Sequence, residues 1–523
     1  MRLPALLLPF MLLAVLAACG DSAPDDARER VLVRGNGGDP GSLDPVLAED
    51  IHAFNVLLDM YEGLIVEDAA GRLIPGVAES WRVSPDGKTY TFELRDAARW
   101  SNGDRVVAAD FVRAIQRAAD PASLSTYSFL LEPILNFSEV NAGRLPGSEL
   151  GVRAPSDDVL EILLTAPIGH MQAIVALPIF YPMHESGTEN VSNGAYVLTE
   201  RTPGGLIRLS RNEFFRNNEA TYFDEVHYLP IADPQAEFNM YRADEIDVTH
   251  NVSDNMVPIA KESYSSQLRV APSLALYYIA FDLTEPPFDD ASLRQALSMV
   301  VDRTLIAQLL GRGEREAYGV VPPGVAGYEP AQYAWADDDE ATRNAAARRL
   351  YADAGYSAER PLSITLMYDT ESVHEKIALA VRSMWQDTLG VEVRLDKREW
   401  KYFLETRNRR EEWDAMRFAW FGDYNSAKTF LDIFRSDSDQ NLSRYASENF
   451  DALMEEADQT GGTDKAAVTM RKAESVLLND YAVIPVYFFV SKHMVSNSIG
   501  GFENNVVDRH PSHWLYRKQP APN

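Results

Sequence analysis

One cysteine, Cys19, serves the whole 523-residue chain. No disulfide can therefore form within it, and thiol catalysis would have to rest on that single residue. Positive charge is also scarce, with 49 Lys and Arg against 78 Asp and Glu and a formal charge of −29. A surface this negative repels phosphate backbones, which proteins hold through Lys and Arg, so general nucleic-acid binding is excluded. Only ten of the 49 basic residues are lysine and the rest are arginine, so any one arginine is first of all a solvated surface charge. Beyond the first twenty residues there is no long hydrophobic run: Tyr481–Val490 covers ten residues and contains Pro485, well short of a membrane-crossing helix. Enzyme signatures are missing too. There is no G-x-S-x-G elbow, H-E-x-x-H pair or Walker A loop, and Gly35, Gly37 and Gly38 lack dinucleotide-fingerprint spacing. His510-Pro511-Ser512-His513 could suggest a metal, but near a polar terminus and without carboxylate support it reads as a solvated tail. No metal and no cofactor are expected.

What is present, 46% hydrophobic and 24% charged residues, fits a large soluble globular protein of several domains. Arg2 precedes an apolar run from Leu3 to Ala18 of signal-peptide length, ending in Leu16-Ala17-Ala18-Cys19-Gly20. Small residues before the lone cysteine read as a lipobox, with Cys19 acylated as the first mature residue; a plain signal peptide is the alternative. Asp21 to Arg30, polar with one proline, is a tether. The expected location is extracytoplasmic, on a lipid anchor in the membrane.

Two local patterns alternate. The turn Ser84-Pro85-Asp86-Gly87-Lys88 precedes Thr89–Leu94, where Tyr90, Phe92 and Leu94 share one face of a half-buried hairpin strand. Residues 361–395 read as a βαβ unit: a strand through Ile364 and Leu366, a helix with Val373, Ile377, Val381, Met384, Trp385 and Leu389 at helical spacing, a break at Gly390, and a strand through Val391, Val393 and Leu395. Further helices are predicted over Ala291–Leu310, Asp339–Ala354 and Lys465–Asn479, the last feeding a strand over Ala482–Val490. The class is α/β with some antiparallel sheet.

In Met416–Tyr424 apolar residues on both faces mark a buried strand, and Arg417 lies on the side of Ala415 and Ala419. A buried arginine needs an anion, so Arg417 and Asp423 must pair with each other, with other residues or with a ligand. If the strand stays extended the two are separated by at most ~20 Å, an interval a zwitterion can span. His374, near the start of the 371–389 helix, lies where the helix dipole favours anions; taken alone it reads first as a hydrogen-bonded histidine at a core edge.

Several motifs carry a family resemblance: Pro75-Gly76-Val77-Ala78-Glu79-Ser80-Trp81, Arg99-Trp100-Ser101-Asn102-Gly103, Ala109-Asp110-Phe111, Ser42-Leu43-Asp44-Pro45, Ser192–Tyr196, Ala317-Tyr318-Gly319 and Gly422-Asp423-Tyr424-Asn425. Together they make the chain similar, over nearly all of its mature length, to the oligopeptide-binding proteins of bacterial peptide ABC importers. The resemblance implies a periplasmic binding protein-like II fold of the three-domain, cluster C type, in which two main lobes close about a hinge and a third is added. It divides the chain into a signal peptide 1–18, a tether 19–30, lobe I over 31–51, 178–273 and 490–523, lobe II over 52–177 and lobe III over 274–489. It implies a monomeric, non-enzymatic receptor that encloses short peptides and hands them to membrane permease subunits. By position, Asp423 takes the peptide amine, and Arg417, Arg407 and His374 match the residues that take its carboxylate. Trp420 and Tyr277 fall where cleft aromatics are expected, and Asp39 matches another acidic cleft residue. A shortened Pro178–Asn193 region, one extra residue between Arg407 and Arg417, and Leu274 and Phe421 in place of the cysteine pair of enteric relatives depart from the pattern. Other expectations within the same fold are a murein tripeptide, a nickel complex or a signalling peptide. A surface peptide hydrolase lacks a nucleophile or metal, and a sensor fused to DNA-binding helices is disfavoured by the signal peptide at Met1.

Overall fold

The hairpin turn behaves as its residues require. Gly87 adopts φ +70°, its N–H donates to Ser84 O at 2.8 Å, and Asp86 Oδ1 accepts from Lys88 N at 3.1 Å. The computed structural model describes residues 29–519 except 49, 188–190, 371, 400–401, 404–405, 407–412, 423, 439 and 461–463. The strands joined by the turn, Ala78–Val83 and Thr89–Leu94, continue through Val159–Leu163 to Val152–Ser156 in a four-stranded sheet, and Tyr90, Phe92 and Leu94 are buried in it. A second four-stranded sheet runs Val31–Gly35, Glu225–Leu229, Ile207–Arg211, Tyr196–Arg201. Its first pair is parallel. Both sheets close on one apolar core that includes Leu32, Phe92, Phe111 and Tyr196, and form the first body of the molecule.

A second body is built on a six-stranded sheet in the order Arg315–Glu316, Val483–Met494, Leu268–Phe281, Ala415–Phe421, Ser363–Asp369, Glu392–Arg398. It has its own core around Phe281, Trp385 and Phe430. The βαβ unit is realised: Ser363–Asp369 and Glu392–Arg398 pair in parallel, and the helix Ser372–Leu389 crosses between them. The buried Trp385 donates its indole N–H to Leu297 O at 2.9 Å, and Gly390 takes φ +74° just past the helix end.

One helix departs from expectation. Ala291–Leu310 is two helices, Ala291–Val300 and Arg303–Leu310. Asp302 makes the break by accepting from Leu305 N at 2.9 Å as an N-cap. The next residue, Arg303, is fully buried. Its guanidinium donates to Ala317 O at 2.8 Å, Pro485 O at 2.9 Å, Ser298 O at 3.1 Å, Val301 O at 2.9 Å and Ser298 Oγ at 3.2 Å. The rings of Tyr318, Trp335 and Tyr333 surround its Cζ at 5.0, 5.3 and 5.8 Å. All of these acceptors are carbonyl or hydroxyl oxygens rather than carboxylates, and burial pushes its pKa down to about 10.

A buried carboxyl group nearby fastens the 317–331 loop to the helix Asp464–Asn479. Glu474, fully buried, accepts from Val320 N and Val321 N at 3.0 Å each, Tyr328 Oη at 2.7 Å and Ala331 N at 2.8 Å. Burial pushes its pKa up to about 7 against those four donors. From pH 4.5 to 7 the folded chain keeps a proton that the unfolded chain has released, so this group's contribution to stability falls as pH rises through that window. The slope is at most about 1.4 kcal/mol per pH unit. Glu474→Gln cannot titrate, so the unfolding free energy of wild type minus variant is expected to decline across this window and level off above it. Urea denaturation at a series of pH values reads this; a pH-independent difference would mean that Glu474 is ionised in the fold throughout.

The chain passes between the two bodies twice, in neighbouring antiparallel strands. Leu268–Pro272 pair with Met494–Val490, and the ladder resumes at Leu276 opposite Phe488. Residues 273–275 thus face the single residue 489 across an irregularity.

Candidate ligand-binding site

The parallel strand Ser363–Asp369 ends on a carboxylate that is 1% exposed. Leu366 and Met367 lie opposite Ala415 and Met416, which carries Arg417, one residue further on, up to Asp369. Arg417 Nη2 makes an ion pair with Asp369 Oδ2. His374, in the first turn of the following helix, places Nδ1 3.0 and 2.9 Å from the two Asp369 oxygens. The anion that Arg417 needed is therefore within the protein, and it is a residue the sequence analysis did not single out. The signal available was an acidic residue closing an apolar strand immediately before a helix, the end of a parallel strand where ligands of α/β proteins gather. Burial holds the Arg417 pKa below its ordinary value, and the Phe403 ring lies 5.1 Å from its Cζ.

Tyr277, buried on the long strand Leu268–Phe281, joins this cluster: its ring stacks on Tyr487 at 4.9 Å and stands 5.6 Å from His374. Trp420 lies further along the Arg417 strand, half-buried, and donates to Thr429 Oγ1 at 3.3 Å. The strand is buried only in its first four residues and opens to the surface at Phe421, 62% exposed. Asp39 is not part of the cluster. It is exposed on the first body, where Oδ2 accepts from Gly204 N at 2.9 Å. Asp423, Arg407 and Cys19 lie outside the described residues. Leu274 and Phe421 are neighbours, since Ala275 pairs with Phe421 and Gly422 N donates to Leu274 O at 2.7 Å.

Gly422 and Tyr424 pack against different bodies. A Cβ on Gly422 would sit 2.9 Å from Thr429 Cγ2, so glycine is what lets the strand end this close to the following helix. Tyr424 is buried in the core of the first body, stacked on His170 at 4.7 Å. Asn425 donates to Gly71 O at 3.0 Å and accepts from Ala326 N at 3.1 Å. A groove of about 1070 Å³, including its open mouth, lies here between Arg72, His170 and Gln172 of one body and Asn425, Ser426 and Lys428 of the other. Burial pushes the His170 pKa down to about 3, so the imidazole there is neutral. Lys428 is balanced by Asp432 and Asp458 at 2.7 and 2.8 Å.

The C-terminal histidines are not a solvated tail. His510 is buried, with Nε2 3.3 Å from Asp508 Oδ1, and His513 packs edge-on against Phe215. The carboxylate support missing from the sequence pattern comes from Asp508, two residues before His510, and the burial comes from Phe502 and His493, which the fold brings alongside.

Residues 72–441 match the family model described as bacterial extracellular solute-binding proteins, family 5 middle. The periplasmic oligopeptide-binding protein OppA of Salmonella typhimurium is 35% identical over 513 residues, covering 94% of each chain. The unliganded open form of the periplasmic murein tripeptide-binding protein MppA superposes with a TM-score of 0.90 at 34% identity, over 94% of this chain and 98% of that one. A second structure, of the Escherichia coli murein tripeptide-binding protein MppA, reaches 0.70 at the same identity, over 94% and 99%. At nearly equal identity and coverage, the chain superposes more closely on the structure described as unliganded and open than on the second.

Proposed function

This chain belongs to the family 5 bacterial extracellular solute-binding proteins, and on that footing we propose that it captures short oligopeptides outside the cytoplasm and delivers them to the permease of a peptide ABC transporter. The observation that carries the reading is the superposition on an unliganded, open murein tripeptide-binding protein, together with two bodies, linked through a two-stranded crossing, that face a groove lined by Asn425 and Ser426. Closing the bodies over a peptide desolvates both of its charged termini, and charge-assisted hydrogen bonds then supply affinity independent of its side chains. In this reading Asp423 takes the ligand's amine. Arg417 and His374, held in place by Asp369, form the basic side together with Arg407. Tyr277 and Trp420 supply aromatic walls, and Asp39 faces the cleft from the first body. The protein acts by binding without turnover, as a monomer anchored through an acylated Cys19. In this reading lobe III, 274–489, closes on lobes I and II.

The test is mass spectrometry of whatever is released on denaturing the purified protein, for wild type and Asp423→Ala. A mixture of intact short peptides, depleted in the variant, is the expected result. Losing the amine's partner should cost about 2–5 kcal/mol of binding, checked by calorimetric titration with a released peptide. A single murein peptide, nickel chelate or signalling peptide would move the function to that ligand. Peptides held equally well by the variant would remove Asp423 from the site.

A further inference from the structure

His493 closes the strand Val483–Met494 just after it leaves the second body, and both of its ring nitrogens face acceptors. Nδ1 lies 3.0 Å from Thr249 O and Nε2 2.8 Å from Asp508 Oδ1. A neutral imidazole carries one proton and can serve only one of them. The second contact requires either a second proton or a cation at Nε2. The same Asp508 oxygen faces His510 Nε2 at 3.3 Å, and the three ligating atoms lie within 4.8 Å of one another.

We propose that His493, Asp508 and His510 form a binding site for a divalent transition-metal ion of the zinc class. Ligands at about 2.0–2.2 Å from a tetrahedral ion stand about 3.3–3.6 Å apart; His510 Nε2 and Asp508 Oδ1 are already 3.3 Å apart, while His493 Nε2, 2.8 Å from the same oxygen, opens by about 0.5 Å to admit the ion. Two imidazoles and one carboxylate suit a borderline ion rather than calcium or magnesium. The supporting groups fit as well. Thr249 O accepts from Nδ1–H of His493 and so fixes the tautomer that turns the Nε2 lone pair inward. Phe502 stacks on the His510 ring at 3.9 Å and sets its plane. Asp508 holds φ +55°, which aims its carboxylate back between the rings. Its side chain is 34% exposed while those of the histidines are 10% and 6%, giving an ion an entry and leaving the fourth position to water. The bound ion would tie the C-terminal loop to the strand crossing between the bodies.

The experiment uses untagged protein stripped with a chelator, titrated with Zn²⁺ in a calorimeter and with Co²⁺ by absorption spectroscopy. The expected result is one equivalent of each, ligand-field bands of four-coordinate cobalt, and a Tm that rises with Zn²⁺. His493→Gln and Asp508→Asn should each weaken binding on the order of 100-fold; asparagine tolerates the positive φ at 508, so the second variant keeps the loop. No stoichiometric binding by folded wild type, or binding unchanged in folded Asp508→Asn, would overturn the site and leave His493 as an imidazolium.

Discussion

Asp369→Ala is expected to lower the free energy of unfolding by about 3–5 kcal/mol, because it takes one partner out of a buried ion pair. Asp369 is 1% exposed and the Arg417 side chain 8%, so water cannot replace the lost carboxylate. The same substitution frees His374 from the oxygens that orient its ring, so peptide binding should weaken along with stability. Arg417→Met made in the Asp369→Ala background separates pair from cavity. Removing both charges should restore part of the stability, since a buried pair is worth little against apolar packing, but none of the binding. Urea denaturation and calorimetry read the two effects. A single-variant loss below about 1 kcal/mol would mean that other partners hold Arg417 and that Asp369 is dispensable.

Arg303→Leu should cost a similar amount, about 3–5 kcal/mol, for a different reason. Its guanidinium serves the carbonyls of Ser298, Val301, Ala317 and Pro485, which come from a helix end, a loop and a strand. Leucine fills some of the volume and serves none of these acceptors, and it forfeits the cation–π contacts with Tyr318, Trp335 and Tyr333. Arg303→Lys keeps the charge but cannot reach four acceptors in a fork, so it should recover only part of the loss. A leucine variant within about 1 kcal/mol of wild type in urea would show that these carbonyls find water.

Local chemistry was readable where a pattern repeats over several residues. Val373 to Leu389 announced a helix by its spacing, Gly87 a turn, and Gly390 a stop, and the parallel pairing around them followed from chain connectivity. The break at Asp302 was missed because one capping side chain outweighed a continuous apolar rhythm. At the site, Arg417 betrayed itself as a charge in an apolar strand, yet its partner lay 48 residues earlier on a neighbouring strand, a separation that no local pattern encodes. The histidines at 510 and 513 misled for the same reason. Exposure is a property of what packs against a segment, and Phe502, His493 and Phe215 reach them through the fold.

The two antiparallel strands that pass between the bodies also limit how the molecule can move. Pulling the bodies apart, or sliding one past the other, would break the ladder from Leu268 to Pro272 or the one from Leu276 to Ala280. Bending at the three residues 273–275 opposite residue 489 breaks neither. The irregularity is thus the place where the ribbon bends at least cost to its ladders. Any group that stiffens or pre-bends the ribbon there, including those on Val506 and His493 at its flanks, resets the resting angle and with it the apparent affinity, without touching the ligand.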